Sequence, residues 1–183
     1  INDAHFSNPD ARADLNATWR TGSGSAAGLS RDGRYPGRLE LDGKLANADA
    51  ARVYRYLPLG IGGETRGYIE HAIQGGRLTS ASFHVKGDLW DFPFFNIPKG
   101  GDGEFQIVAK VDDATYAYVP GTPAGPGVAA YTSPWPVLTR ASAELTLERD
   151  TLEIRNGSAR IGNIEWSNVA GAIRHLERDA MLT

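Results

Sequence analysis

Two carboxylates offer this chain its clearest opportunity for acid–base chemistry. Asp88 and Asp91 flank Trp90, and carboxyl groups so close in sequence can act as a general acid and a general base. Gly87 and Pro93 bracket the same segment, and this composition is typical of a turn. We interpret the pair as turn residues and keep an enzyme, such as a hydrolase with both carboxylates in its site, as the third of three hypotheses.

The other residue types that carry chemistry form no recognisable site pattern. The four histidines are scattered, and no two of them stand at metal-ligand spacing. The chain has no cysteine, so it has neither a disulfide framework nor a thiolate. A nucleophile elbow and the phosphate-binding glycine spacings are also missing. We expect no catalytic residue, no metal and no cofactor.

Composition excludes further classes of function. The chain has 183 residues, a net charge of −3 and a pI of about 5.8. Nucleic-acid-binding domains carry a basic surface and a pI above about 9, so we expect no nucleic-acid partner. No apolar run approaches the ~18 residues of a membrane span. The chain starts at Ile1 and stops abruptly at Thr183, so we expect one β-rich domain, 1–183, cut from a longer protein that carries any membrane anchor elsewhere.

Alternation of apolar and polar residues is the strongest structural signal. Successive side chains of a strand point to opposite faces of a sheet, so this pattern predicts half-buried antiparallel strands. The fold is therefore expected to be mainly β, with one apolar face that few helices are available to cover. Asn156-Gly157 is read as a turn. The alternating stretches are residues 13–20, 38–45, 81–86, 104–111, 143–148, 151–155 and 169–173.

A small helical hairpin is predicted between about residues 47 and 75. Asn47 can cap the first helix, and Pro58 ends it. The second helix is expected from Glu64 to Gln74, where Gly75 and the glycine after it stop it.

Two segments are apolar without being regular strands. Residues 120–136 hold five prolines yet carry Val128, Tyr131 and Trp135. This loop either folds back over the core or forms a flap that touches lipid or a partner. Residues 87–96 crowd one tryptophan and three phenylalanines around a proline. They form either a hydrophobic plug at the end of the core or the lining of a channel for an apolar ligand.

Four runs in the middle of the chain carry a family resemblance. They are VYRYLP at 53–58, YIEHAI at 68–73, GGRL at 75–78 and GDLWDFPF at 87–94. Together they resemble the YhdP-like proteins, which belong to the wider AsmA-like group that includes TamB. The resemblance covers most of residues 38–175, and one departure is Tyr68, where a tryptophan is expected.

The resemblance implies a fold and a function. YhdP-like proteins are large, anchored in the bacterial inner membrane and extended through the periplasm as a long curved β-sheet with a hydrophobic groove. They carry phospholipid between the inner and outer membranes as bridge-like transfer proteins, without catalysis. The implied partners are phospholipid, neighbouring segments of the same longer chain and the membrane that holds the anchor.

The first hypothesis is therefore a segment of a lipid-transfer groove in the periplasm. The second is a non-enzymatic β-sandwich, a binding or scaffolding module of a cell-envelope protein that would act through loops such as 120–136. Under the first hypothesis, the groove is lined by residues of the apolar parity. These are Trp19, Leu39, Leu41, Phe83, Val85, Phe105, Ile107, Leu145, Leu147 and Ile154.

Overall fold

The described part of the chain forms one antiparallel sheet of nine strands. A computed structural model describes residues 1–21, 36–57, 61–95, 97–98, 100–176 and 179–182. The order of the strands in the sheet is their order in the chain, so each strand pairs with the next one along the sequence. The strands are β1 Ala4–Ser7, β2 Arg12–Arg20, β3 Arg38–Asp49, β4 Ile73–Asp88, β5 Gly103–Tyr116, β6 Leu138–Glu148, β7 Thr151–Ile161, β8 Ile164–His175 and β9 Asp179–Leu182.

The predicted fold class is confirmed. The protein is mainly β, and the described residues add only a 3₁₀ helix, Ala50–Tyr56, and one α-helix, α1, Gly63–Ala72. All described strands belong to a single sheet, so they do not stack as the two layers of a sandwich. The linker 22–35, between β2 and β3, lies outside the described residues.

The sheet is curved by irregularities that recur from strand to strand. The pairing register shifts at such irregularities in each of the ladders from β5 to β8. An extra residue in one strand bends it and increases its right-handed twist, and Asn and Asp tolerate the left-handed backbone that this requires. The residues with positive φ inside strands are Asn47, Asp113, Arg140, Asn156 and Asn168, with Gly76 and Gly87 in β4.

The turn predicted at Asn156-Gly157 is wrong, because both residues lie inside β7. Asn156 adopts a φ of 51° and its Nδ2 donates a hydrogen bond of 3.0 Å to Glu144 Oε2 on the polar face. Its neighbour Arg155 also opposes Glu144. Two successive residues therefore share the polar face, and Gly157 returns the strand to its apolar side.

The helices begin and end at other residues than predicted. Asp49, not Asn47, caps the 3₁₀ helix, because its carboxylate accepts a hydrogen bond from Ala51 N at 2.9 Å. The α-helix α1 ends at Ala72 instead of Gln74, because Ile73 turns to extended backbone and pairs with Tyr116. The glycines expected to stop the helix are therefore part of β4.

Arg66 holds the two helices together. Its Nη1 donates to Tyr54 O at 2.7 Å and its Nη2 to Leu57 O at 3.1 Å. Both carbonyls lie at the end of the 3₁₀ helix, where the last carbonyl groups of a helix have no N–H donor within the helix. One side chain of α1 thus fixes the hairpin.

The core lies on one face of the sheet and forms two clusters. Near the helices, Ala48, Ala50 and Leu78 are buried, and Val53 of the 3₁₀ helix packs on them. At the other end of the strands, a second cluster is built around Phe94. None of the described polar or charged residues is buried. The sheet therefore has an apolar face and a polar face, as the alternation predicts. The polar face, which is exposed to solvent, is called the wet face.

Candidate functional site

The strand register brings all ten predicted groove residues to one face. Directly opposed residues of an antiparallel ladder point to the same side of the sheet. The polar residues between them point to the other side. The rungs are Trp19 with Leu39; Leu41 with Val85 and Phe105; Phe83 with Ile107 and Leu147; and Leu145 with Ile154.

An aromatic plug, residues 89–95 and 97, covers one end of this face. Phe94 is fully buried at its centre, and Phe92 packs edge-on against it at 5.7 Å between ring centroids. Gly87 and Gly103 lie opposite each other on β4 and β5. A Cβ on either glycine would lie 2.7 Å from the Phe94 ring, so the ring occupies the space that their missing side chains leave.

The plug is tied to the sheet from the far side. Arg149, in the turn between β6 and β7, donates from Nη1 to Ile97 O at 2.6 Å and from Nη2 to Gly103 O at 2.5 Å. Val85 and Phe105 are buried beneath the plug. Of the two interpretations of this segment, the structure shows the plug.

The helical hairpin covers the opposite end of the face. Tyr68 of α1 and Tyr116 of β5 share a hydrogen bond of 2.7 Å between their hydroxyls, and Tyr68 Oη also donates to Tyr118 O at 3.2 Å. Burial raises the pKa of Tyr116 above its ordinary range, and the hydrogen bond to Tyr68 adds to this. The contact joins the only described α-helix to the sheet.

Between the two covered ends lies an open strip of apolar side chains. Ile107 packs against both clusters and marks the middle of the face. Leu145, Leu147 and Ile154 are half-buried on β6 and β7. Neither cluster includes a residue from beyond β6. The face is therefore covered best at β3–β5 and least towards β8.

A glycine also shapes the floor of the strip. The ring of Phe83 lies across Gly43 on the neighbouring strand, where a Cβ would meet the ring at 2.0 Å. Phe83 can therefore lie flat against β3 instead of standing across the strip.

Trp19 is the one exposed residue of the ten. Its side chain is exposed, and its Nε1 donates a hydrogen bond to Pro36 O at 2.5 Å. Trp19 opposes Leu39 at the plug end of β2, near one edge of the sheet.

Sequence reasoning missed two apolar residues at the β8 end of the face. Ile164 and Trp166 are exposed and oppose Ile161 and Ala159. Val169, which alternates with Gly171 and Ile173 as predicted, is also exposed and opposes Gly157. Those three β7 residues lie on the apolar side because the irregularity at Asn156 shifts the alternation by one. The period-two signal is broken at that point, so it could not assign them to a face. Leu152 opposes Leu147, and Ile173 opposes Leu152, so both lie on the apolar face, as the alternation predicts.

Cross-strand ion pairs occupy the wet face. His84 lies between Asp42, at 2.7 Å, and Glu104, at 3.2 Å. Lys86–Glu40 and Lys110–Glu144 pairs are each 3.7 Å long. Exposed pairs of this kind contribute about 0–1 kcal/mol each, so this face is a solvated surface. Val108 is the exposed apolar exception on it.

The two carboxylates considered for acid–base chemistry lie in a turn. Asp88 Oδ1 accepts a hydrogen bond from Trp90 N at 3.0 Å, and Asp91 N donates to Asp88 O at 3.0 Å. Asp91 O in turn accepts from Phe94 N at 2.6 Å. Both residues thus shape the entry to the plug, as the turn interpretation predicts.

The described ranges contain neither a cluster of metal ligands nor a membrane-spanning helix. No group of three or more His, Asp or Glu side chains there could hold a metal ion. No helix in the same ranges is long and apolar enough to cross a membrane.

Comparisons with known proteins agree with the resemblance in sequence. A family model described as YhdP protein matches residues 1–183. The intermembrane phospholipid transporter YhdP of Escherichia coli (strain K12) is 24% identical over 139 residues, which is 75% of this chain and 10% of that protein. The chain therefore spans about a tenth of the length of this curated relative. No solved structure matches. The match over its whole length establishes that the chain belongs to the YhdP family.

Proposed function

We propose that the apolar face binds the acyl chains of phospholipid. The observation that carries the proposal is the open strip of half-buried side chains, Leu145, Leu147 and Ile154, beside the midpoint residue Ile107. Burying apolar surface stabilises by about 0.8 kcal/mol per CH₂, so an acyl chain laid on the strip would supply contacts that no described element supplies. The ten predicted residues are the proposed lining, with Val85 and Phe105 contributing from beneath the plug.

The dimensions suit an acyl chain. Neighbouring strands lie about 4.8 Å apart, so the five strands from β4 to β8 span about 19 Å. This length is comparable to the ~15 Å of hydrocarbon in one leaflet of a bilayer. A chain lying across the strands would meet apolar side chains from end to end.

We further propose that this chain is a segment of a bridge-like protein of the periplasm. In that protein, phospholipid would move between the inner and outer membranes along a continuous apolar track, and no catalytic group would be needed. The name of the E. coli relative, an intermembrane phospholipid transporter, supports the cargo. In the described sheet, β1 and β9 are the two edges, where neighbouring segments of the longer chain would continue the track. The inner-membrane anchor would lie in another segment.

Native mass spectrometry with lipid extraction tests the proposed cargo. We expect phospholipid to co-purify with the 183-residue chain. In Ile107→Asp the bound lipid should fall about tenfold or more, because a charge in the strip would have to be desolvated by the acyl chain. The matched control is Val108→Asp, since Val108 is the next residue on the same strand but lies 41% exposed on the wet face.

The outcomes separate the hypotheses. Loss of lipid in Ile107→Asp alone, with both variants folded, would support the strip as the site. Equal lipid in all three proteins would place the lipid elsewhere. A protein that is free of lipid and takes up none when it is added would indicate a structural module instead.

A further inference from the structure

One stretch of this chain is free of charge. Residues 114–139 contain no Asp, Glu, Lys, Arg or His in 26 positions. At the chain's own 22% of charged residues, about six would be expected there, close to the average for globular domains. The stretch includes the flap, residues 117–137, which connects β5 to β6.

The outer part of the flap, residues 122–132, is exposed. Of its apolar side chains, Val128 is 61%, Tyr131 46% and Trp135 55% exposed. Backbone bonds of 2.9 Å in both directions between Thr122 and Tyr131 close it into a small hairpin. Trp135 packs edge-on against Tyr118 at 5.7 Å, which fixes the base. The interpretation of this loop as a cover over the core is therefore wrong.

A second apolar feature lies at the same end of the strands. Thr139 at the start of β6 opposes Arg160 at the end of β7, so the β7–β8 turn is beside the base of the flap. Ile164 and Trp166 follow that turn and are 61% and 53% exposed. They lie on the apolar face, so the open strip reaches this end of β7 and β8. We name the flap together with Ile164 and Trp166 the aromatic edge.

We propose that the aromatic edge docks on the surface of a lipid bilayer. Tyr and Trp have an apolar body and a polar tip, which suits them to the membrane–water interface. Charged groups are costly in that environment, and the flap has none. Protein interfaces also favour tyrosine and tryptophan, so self-association is the competing explanation that the experiment must exclude.

The charge of the chain determines how docking must work. With a net charge of −3, the protein gains no overall attraction to anionic headgroups. Docking must therefore depend on apolar and aromatic contacts and should persist in high salt. Because the open strip ends at this edge, a docked chain would present the strip to the bilayer. The inference goes beyond the proposed function, since a protein can hold lipid without docking.

Flotation with phosphatidylcholine vesicles tests the inference. We expect the 183-residue chain to float with the vesicles equally at low and high salt. The variant Val128→Ser/Tyr131→Ser/Trp135→Ser should bind about tenfold more weakly, because three exposed apolar groups are lost from the contact. Val108→Ser is the matched control, as it removes an exposed valine from the wet face and should float like the unchanged chain.

Four results would overturn the inference. The first is that the unchanged chain does not float, and the second is that the flap variant floats equally well. The third is that binding requires anionic lipid and disappears in high salt. The fourth is that the unchanged chain forms a dimer and does not bind vesicles, and the flap variant abolishes this dimer. Circular dichroism checks folding. If the triple variant does not fold, Val128→Ser alone replaces it and should bind measurably more weakly, because Val128 is the most exposed of the large apolar side chains of the flap.

Ile107→Asp separates this inference from the proposed function. That variant should keep vesicle docking while losing bound phospholipid. The flap variant should lose vesicle docking but still bind phospholipid when the lipid is supplied in detergent micelles. Failure of one claim therefore leaves the other measurable.

Discussion

Phe94 shows how single residues shape the candidate site. Its ring fills the space above Gly87 and Gly103, and Arg149 fastens the surrounding plug to the next hairpin. This arrangement explains why the sequence combines a D-F-P-F run with a glycine on each side of it. The plug marks where the covered part of the apolar face ends and the open strip begins.

Gly103→Ala should therefore destabilise the protein. The added methyl group would overlap the Phe94 ring, and overpacking of this kind costs about 1–3 kcal/mol. Urea unfolding measures the change. Gly67→Ala is the contrasting control, because that position in α1 has open space around it and alanine favours a helix by up to about 1 kcal/mol. A destabilised Gly67→Ala together with an unchanged Gly103→Ala would contradict the packing described for the plug.

The alternation of apolar and polar residues predicted the face of the sheet correctly for some residues and failed for others. Alternation assigned Leu147 to the apolar face because it sits in an unbroken period of two, and it assigned Ile107 there although Val108 interrupts the pattern beside it. It failed at Asn156, since an Asn-Gly pair with positive φ serves a turn and a strand irregularity equally well. The contact that decides between them, Asn156 with Glu144, joins two strands and leaves no local signal.

At the scale of elements, the junction of α1 with β5 depends on two tyrosines. Folding raises the pKa of Tyr116 above its unfolded value of about 10, so the folded state favours the neutral phenol. The contribution to stability is complete below pH ~10 and is lost as the pH rises above it.

Alkaline unfolding of Tyr116→Phe tests this junction. The unchanged protein should lose stability more steeply above pH ~10 than the variant, which has no phenol to ionise at this position. Denaturant midpoints measured at several pH values give the comparison. Identical pH dependence in both proteins would show that Tyr116 titrates as freely when folded as when unfolded.

Element boundaries were predicted less well than element types. A helical hairpin was expected and is present, but the capping residue is Asp49 and α1 ends at Ala72. Ile73 leaves the helix because β4 offers it a partner on β5, a long-range pairing that local propensity does not include. The flap was correctly predicted as irregular, yet its exposure depends on tertiary packing that composition alone left open.

On the scale of the whole molecule, the central feature is a curved sheet that is covered at two ends and open between them. The alternation required one apolar face, and the small number of helices required that part of it stay uncovered. Under the proposed function, this surplus of apolar surface is a track for lipid. The direction and partners of transport would then depend on the rest of the longer protein.

Site-specific photo-crosslinking tests the central claim most directly. A photoactivatable amino acid would replace Leu147 in the open strip or, as the matched control, the adjacent Thr146, whose side chain points to the wet face. After illumination with phospholipid present, mass spectrometry should find a lipid adduct at position 147 and none at position 146. Equal adducts at both positions, or an adduct at 146 alone, would contradict the assignment of lipid to the apolar face.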